Sequence, residues 1–165
     1  MYCKVTITNF SFAFILGIAY TTIVKTCKIV IDTNVIVSGL YSNRGASYKL
    51  LELLDNKNIQ VAVSVSIILE YEEVLLRNLK KLGFIKSDIE NFLDYFCDIA
   101  DKREIYFLWR PFLKDLKDDM VLELAVESGS DYIITYNIRD FQGSEKFGIK
   151  VLTPKEFLKI LEKTP

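Results

Sequence analysis

The chain has 165 residues, no histidine, and 21 basic against 22 acidic residues, for a formal net charge of −1. The missing histidines exclude catalysis by an imidazole base and zinc sites that need an imidazole ligand. Hydrophobic residues are 50% of the chain and charged residues 26%, as in one folded domain with a full core. An enzyme of this composition must use carboxylates, hydroxyls, lysine or an oxygen-bound metal ion.

The chain has three cysteines, Cys3, Cys27 and Cys97. Their number is odd, and no two of them form a CxxC motif. A disulfide framework or a structural zinc site is therefore not expected. Reduced thiols in a cytoplasmic protein are the better interpretation.

The first 26 residues form an apolar extension of uncertain role, and residues 27–165 are expected to form one domain. Residues 10–24 are strongly apolar but shorter than the roughly 20 residues of a transmembrane helix, so stable membrane insertion is not expected. A signal peptide fits poorly, because only Lys4 supplies a basic start and the cleavage context is poor. Two interpretations rank above export: upstream read-through before a later natural start, and an extra strand or helix docked on the core.

Strands and helices alternate along the rest of the sequence. Continuous β-rich runs predict strands at Cys27–Ile31, 60–65, 104–109, 131–135 and Lys150–Leu152. Apolar residues at helical spacing predict helices over 48–54, 66–79, 87–100, 119–128 and from Thr153 onward. Capping boxes at Ser87–Glu90 and Thr153–Glu156 mark two starts, and Gly129 marks an end. This order predicts a three-layer α/β/α fold with a central parallel sheet.

Polar residues follow the predicted strands at their carboxyl ends, where such folds bind ligands. They are Asp32, Thr33 and Asn34, then Glu70, then Asp115, Asp118 and Asp119, and finally Thr135, Asn137 and Asp140. Carboxylates packed together raise one another's pKa, and a hard cation such as Mg²⁺ or Mn²⁺ relieves the repulsion. The sequence therefore predicts an oxygen-ligand metal site that aligns water for attack on a phosphodiester.

Each of these segments also has an ordinary structural explanation. Asp32 to Asn34 suits an Asx-turn, and Glu70 suits a solvated helix face. Asp118 and Asp119 suit the positive end of a helix dipole. Their joint arrival at one edge of the sheet is what favours a functional site.

With these residues the chain resembles the PIN domain, the nuclease fold of VapC-type toxins, over roughly residues 28–161. The resemblance is strongest to the PIN family of toxin–antitoxin system toxin components. It is carried, in order, by KIVIDTNVIVSGL, VSVSIILEYEEVL, KDLKDDMVLELAVESGSDYIITYNIRDF and VLTPKEFLKIL.

The resemblance implies roles for the polar residues at the sheet edge. Asp32, Glu70, Asp119 and Asn137 would be catalytic and would hold Mg²⁺ or Mn²⁺, with Asp140 as a further ligand. Asn137 stands where many family members have aspartate, and Asp140 or Asp118 would compensate for the lost charge. The residues expected to orient carboxylates and water are Thr33, Asn34, Asp118 and Thr135.

The implied reaction is hydrolysis of RNA to a 5′-phosphate and a 3′-hydroxyl, by a water whose pKa the cation lowers. Arg44 and Arg139 are the expected RNA-binding cations, and Tyr41 and Tyr136 are candidates for base stacking. A near-zero net charge does not argue against RNA, because an acidic site and a basic rim cancel in the sum. A cognate antitoxin and a homodimer are the other partners implied. The apolar stripe of the helix over 87–100 would serve dimerisation, although it is more simply core.

Three other classes stay open. One is a catalytically weakened PIN scaffold, degraded at Asn137, that binds RNA or protein. Another is a phosphatase of the haloacid-dehalogenase type, which Asp32 and Thr135 suit but Asn34 does not, because that class needs D-x-D. A phospho-acceptor domain is more remote, because it needs its acceptor aspartate on the third strand.

Overall fold

The computed structural model describes residues 26–162, so all but the last residue of the predicted extension, and Cys3, lie outside the described residues. Within 26–162, five strands are β1 (Cys27–Ile31), β2 (Ile59–Val63), β3 (Asp101–Lys102), β4 (Tyr132–Ile134) and β5 (Lys150–Leu152). The helices are α1 (Thr33–Tyr41), α2 (Ala46–Glu52), α3 (Val65–Arg77), α4 (Leu79–Leu82), α5 (Lys86–Ile99), α6 (Leu116–Ser128) and α7 (Pro154–Glu162). Two 3-10 helices span Ile138–Phe141 and Ser144–Phe147. In this part of the chain, the helices are all too short or too polar to cross a bilayer.

The strands form one parallel sheet in the order β3-β2-β1-β4-β5. Strand β1 lies in the centre and pairs Ile29 with both Val61 of β2 and Tyr132 of β4. The apolar residues 29–31 are fully buried, as expected of a strand covered by helices on both faces. The predicted three-layer α/β/α fold is confirmed, and the carboxyl ends of the strands meet at one edge.

The prediction of a strand over 104–109 is wrong. Strand β3 lies earlier, at Asp101–Lys102, and the residues that follow it are irregular. The backbone amide of Arg103 still donates to the carbonyl of Val63, at 2.8 Å, but β2 ends there and Ser64 caps α3. The aromatic run therefore has no neighbouring strand with which to pair.

Helix starts follow local hydrogen bonds that differ in part from the sequence prediction. Asp88 accepts the amide of Ile85, at 2.9 Å, so α5 begins at Lys86 and the Ser87–Glu90 box does not form. The cap of Thr153 and Glu156 is present, and Gly129 ends α6 in the left-handed region with φ 63°. Helix α1, directly after Asp32, is an addition to the predicted elements.

The apolar stripe of α5 is core. Ile89, Leu93 and Phe96 are buried, so this stripe is not available as a dimer surface. Phe96 packs edge-on against Tyr71 of α3, with ring centroids 5.8 Å apart.

Tyr71 links α3 to the end of β1. The side chain is fully buried, and its hydroxyl donates to the backbone carbonyl of Ile31. Asp32 follows Ile31 in the chain and Glu70 precedes Tyr71. This hydrogen bond therefore fixes the two segments that carry the first two acidic residues of the predicted site.

Replacing Tyr71 by Phe tests this link. The change removes a buried hydrogen bond, so we expect the free energy of unfolding to fall by about 1–2 kcal/mol. Urea denaturation at neutral pH measures it. Tyr41→Phe, at a side chain that is 57% exposed, is the matched control and should change little. Equal losses in the two variants would contradict the assigned role.

Candidate metal and nucleic-acid site

Asp32 lies at the carboxyl end of the central strand, where its carboxylate is 8% exposed. Its backbone amide donates to the carbonyl of Ile134, at 2.9 Å, which joins the ends of β1 and β4. Its Oδ2 accepts hydrogen bonds from Thr135 Oγ1, at 2.5 Å, and from Asn34 Nδ2, at 2.7 Å. Two neighbouring side chains thus hold one oxygen of this carboxylate in place.

Thr135 and Asn34 also hold each other. Asn34 Nδ2 donates to Thr135 Oγ1, at 3.1 Å, and the amide of Asn137 donates to the same hydroxyl, at 2.9 Å. Asn34 Oδ1 accepts the amide of Tyr136, at 3.3 Å. The loop after β4 and the start of α1 therefore share one hydrogen-bonded network with Asp32.

Glu70 reaches the same edge from α3. Its Oε1 lies 3.7 Å from Lys117 Nζ, and its Oε2 is buried without a hydrogen-bond partner. The hydroxyl of Thr33 is likewise buried; it lies near the Glu70 carboxylate and favours its charged form, although neither this hydroxyl nor Oε2 makes a hydrogen bond of full geometry. Buried oxygens without partners are costly, so an additional ligand at this edge would stabilise them.

The two consecutive aspartates of α6 have different surroundings. Asp119 is fully buried, and its Oδ1 accepts the backbone amide of Leu113, at 2.8 Å. The amide of Phe112 approaches both of its carboxylate oxygens, at 3.3 and 3.4 Å. Asp118 is half-buried, and other carboxylates lie near it. Its surroundings differ from those of Asp119 because successive side chains point about 100° apart around a helix. Asp119 therefore holds the loop before α6, while Asp118 faces the sheet edge.

Three pKa shifts describe the electrostatics of this edge. Burial raises the pKa of Asp118 to about 6, and the charges of Asp32, Asp115, Asp140 and Glu70 add to the rise. Burial also raises the pKa of Asp32. The hydrogen bond from Thr135 lowers this pKa, and the charge of Asp140 raises it further. Burial raises the pKa of Glu70, which Lys117 opposes and Asp32 increases. These carboxylates are therefore brought together at a cost to the folded state.

The 3-10 helix after β4 carries the outer part of the site. Asn137 precedes it, and Arg139 and Asp140 lie on it with exposed side chains. The charge of Asp140 raises the pKa of both Asp32 and Asp118, so the Asp140 carboxylate belongs with theirs. We call Asp32, Glu70, Asp118 and Asp140 the acidic cluster.

The acidic cluster offers only oxygen donors, as a hard divalent cation requires. The unpaired Oε2 of Glu70 and the raised pKa values of its neighbours fit such a cation. Across residues 26–162, no three acidic or thiol side chains stand close enough, as they are oriented, to enclose a metal ion.

The predicted RNA-binding residues are all exposed. Arg44 is exposed just beyond α1, and Arg139 is exposed beside Asp140. Tyr136 is 47% exposed, and its hydroxyl shares a hydrogen bond of 2.7 Å with Ser47. Tyr41 lies under the ammonium of Lys81, 5.0 Å from the ring centroid, so that ring is already occupied on one face.

Comparison with known families gives one clear match, because a sequence model of the PIN domain matches residues 28–139, more than half of the chain. The chain belongs to the PIN domain family. Members of this family are typically nucleases. The match supersedes the phosphatase and phospho-acceptor alternatives considered from the sequence. Comparison with curated protein sequences gives no match.

Among solved structures, this PIN domain is similar to the crystal structure of VapBC2 from Rickettsia felis bound to a DNA fragment from their promoter. The sequences are 18% identical, and the TM-score is 0.55. The alignment covers 75% of this chain and 98% of the other chain. The likeness concerns the fold and agrees with the parallel sheet described above.

The sequence prediction named Asp32, Glu70 and Asp119 as ligands. The structure places Asp32 and Glu70 near Asp118, whereas Asp119 accepts hydrogen bonds from the loop before α6. Both aspartates suit a helix start, so the sequence offered no signal to separate them. It also missed Tyr71, which resembled any other apolar position on the stripe of α3. The hydrogen bonds from the loop amides of Phe112 and Leu113 to Asp119 distinguish the two aspartates, and the sequence does not show them.

The stability of the metal-free protein tests the electrostatics of Asp118. A carboxyl pKa raised from 3.8 to about 6 in the folded state means that stability falls as the pH rises through that interval and stays reduced above it. Asp118→Asn removes this penalty, so at pH 7.5 we expect a gain of about 1 kcal/mol, discounted for partial exposure, or about 2–4 °C in Tm.

At pH 4 the gain should shrink to a small fraction of its value at pH 7.5. Asp118 is then protonated in the folded state, and about 40% protonated in the unfolded chain, where its pKa is 3.8. Thermal unfolding with a metal chelator present measures both values. Asp98→Asn, an exposed aspartate on α5, is the control and should show no gain at either pH. A variant no more stable than the wild type at pH 7.5 would contradict the raised pKa.

Proposed function

We propose that this PIN domain is a metal-dependent endoribonuclease and the toxin of a toxin–antitoxin pair, acting in the cytoplasm. The observation that carries the proposal is the acidic cluster, four carboxylates from four segments at the ligand-binding edge of the sheet. Membership of a typically nucleolytic family supports it. The sequence resemblance to VapC-type toxins and the structural similarity to VapBC2 support the toxin assignment.

Asp32, Glu70, Asp118 and Asp140 are the residues that would hold Mg²⁺ or Mn²⁺, with the side-chain carbonyl of Asn137 as a further oxygen. When bound, the cation supplies charge neutralisation at the phosphate and lowers the pKa of a water. The notable change from the sequence prediction is that Asp118 takes the place of Asp119 in this set. Asp119 has its oxygens committed to the amides of the preceding loop.

The other residues of the site act by orientation. Thr135 and Asn34 hold one oxygen of Asp32 and so fix the orientation of this carboxylate. Tyr71 fixes the turn of α3 that carries Glu70. Lys117, paired with Glu70 at 3.7 Å, and Arg139 beside Asp140 provide positive charge for the phosphates of an RNA strand.

A matched pair of variants tests the site. Asp118→Asn should reduce cleavage of end-labelled RNA at least about 100-fold, because it removes a charged ligand while keeping the side-chain shape. Asp119→Asn keeps an oxygen acceptor for the loop amides and should lower the rate by less than about 10-fold. Asp32→Asn should abolish cleavage, and activity should require added Mg²⁺ or Mn²⁺.

Circular dichroism confirms folding of each variant before rates are compared. Sequencing of the products should show 5′-phosphate and 3′-hydroxyl ends. Loss of activity in folded Asp119→Asn, with activity kept in Asp118→Asn, would return the ligand role to Asp119. RNA binding without cleavage at any metal concentration would favour the alternative of a non-catalytic PIN scaffold.

Expression in a bacterial host tests the toxin assignment. The wild-type chain should arrest growth, because cleaved RNA stops protein synthesis, whereas Asp32→Asn should not. Co-expression of the reading frame adjacent to its gene should restore growth if that frame encodes the antitoxin. Growth counts after induction measure both effects, and arrest by Asp32→Asn equal to the wild type would contradict an RNA-cleaving toxin.

A further inference from the structure

The irregular segment of residues 104–113, which we call the aromatic strap, runs from the end of β3 to the loop before α6. It exposes 78% of Tyr106, 66% of Phe107, 61% of Leu108 and 39% of Trp109. With about 150–250 Å² for each large aromatic side chain, the exposed apolar surface is roughly 400–500 Å². Patches of this size on a monomer often mark a binding surface.

Buried carboxylates hold the strap against α6. Glu123, whose side chain is 1% exposed, accepts the backbone amide of Trp109, at 2.9 Å, and the guanidinium of Arg110, at 2.8 Å. Asp119, one turn earlier, accepts the amide of Leu113. Trp109 also packs on Phe147, with ring centroids 5.0 Å apart. The second half of the strap, from Trp109 onward, therefore has a fixed backbone.

One helix, α6, supports both the strap and the acidic cluster, and the end of the strap contacts Asp119, the residue next to Asp118. Asp118 belongs to the cluster, and Glu123 holds Trp109 only five residues further along α6. Five helical residues span about 7.5 Å along the axis. The side chains of Asp118 and Glu123 also point about 140° apart around the axis, so a single strand would have to follow the surface of α6 to reach from the strap to the cluster.

The strap and its flanks carry a small excess of positive charge. Residues 101–115 contain four cations, Lys102, Arg103, Arg110 and Lys114, and three acids, Asp101, Glu104 and Asp115, although the whole chain has a net charge of −1. Arg103 and Arg110 are paired with Asp101 and Glu123. Lys102 and Lys114 are exposed and take part in none of the ion pairs found between residues 26 and 162.

Exposed rings between lysines are typical of surfaces that bind single-stranded nucleic acid, where bases stack on the rings and phosphates meet the cations. We propose that the aromatic strap binds single-stranded RNA and delivers it to the acidic cluster. Bases stack on Tyr106 and Phe107, and Lys102 and Lys114 contact the phosphates. The proposal rests on the proposed nuclease function for the identity of the polymer.

Trp109 provides a direct test, because it is the single tryptophan of the chain and its ring lies 5.4 Å from that of Phe107. The Asp32→Asn protein, which should not cleave RNA, is titrated with a single-stranded 12-nucleotide RNA without metal. We expect its fluorescence to be quenched, with weaker binding at higher salt. The double change Tyr106→Ser and Phe107→Ser should weaken binding by about 10- to 100-fold.

Tyr95→Ser is the matched control, an exposed tyrosine on α5 that should leave RNA affinity unchanged. Double-stranded RNA of the same length should bind more weakly, because its bases cannot stack on the rings. Unchanged affinity in the double variant would overturn the proposal. So would size-exclusion data showing that the double variant loses self-association while its RNA affinity stays the same, which would make the strap a protein interface.

Cleavage assays separate this proposal from the nuclease function. With the double change in the otherwise wild-type chain, KM for a 20-nucleotide RNA should rise about tenfold with kcat nearly unchanged. Wild-type levels of both constants would overturn the strap proposal and leave the nuclease intact. Absence of cleavage in the wild-type chain, with strap-dependent quenching still present, would overturn the nuclease function and support RNA binding at the strap.

Discussion

The end of β1 is the point on which the rest of the structure depends. The carbonyl of Ile31 accepts the Tyr71 hydroxyl from α3, and the amide of Asp32 donates to the carbonyl of Ile134 in β4. The carboxylate of Asp32 then accepts from Thr135 and Asn34. Ile31 and Asp32 thus connect β1 to α3 and β4. The fully buried strand β1 makes this junction rigid.

Helix α6 carries acidic residues with opposite effects on the stability of the fold. Asp119 and Glu123 are buried and fully used by amides and a guanidinium, so they stabilise the fold. Asp118 is turned toward other carboxylates and has a raised pKa, so it destabilises the metal-free fold. Two adjacent residues of one helix therefore have opposite effects on stability, and pKa values raised in this way are common at functional sites.

The sequence was informative where local physics decides the outcome. Continuous apolar runs located the parallel strands, and the polar residues after them located Asp32 and Glu70, because strand ends share one edge in this topology. The sequence was not informative where tertiary contacts decide which segments pair and which side chains reach the site. The run at 104–109 has the composition of a strand, but β2 ends before it can pair. The choice between Asp118 and Asp119 depends on loop amides seven and six residues away from Asp119, which no periodicity reveals.

The anchoring of the aromatic strap determines where the chain tolerates insertions and deletions. The amide of Arg103 is fixed to β2, and the amide of Trp109 is fixed to α6. Between these two anchors, Ile105 packs against the core, so only the exposed residues 106–108 can be lengthened or replaced with little effect on either support. A change of length within 109–113 would shift the groups bound by Glu123 and Asp119. The part of the strap with the most exposed side chains is thus a replaceable module, which would let related chains exchange surface specificity while keeping the same acidic edge.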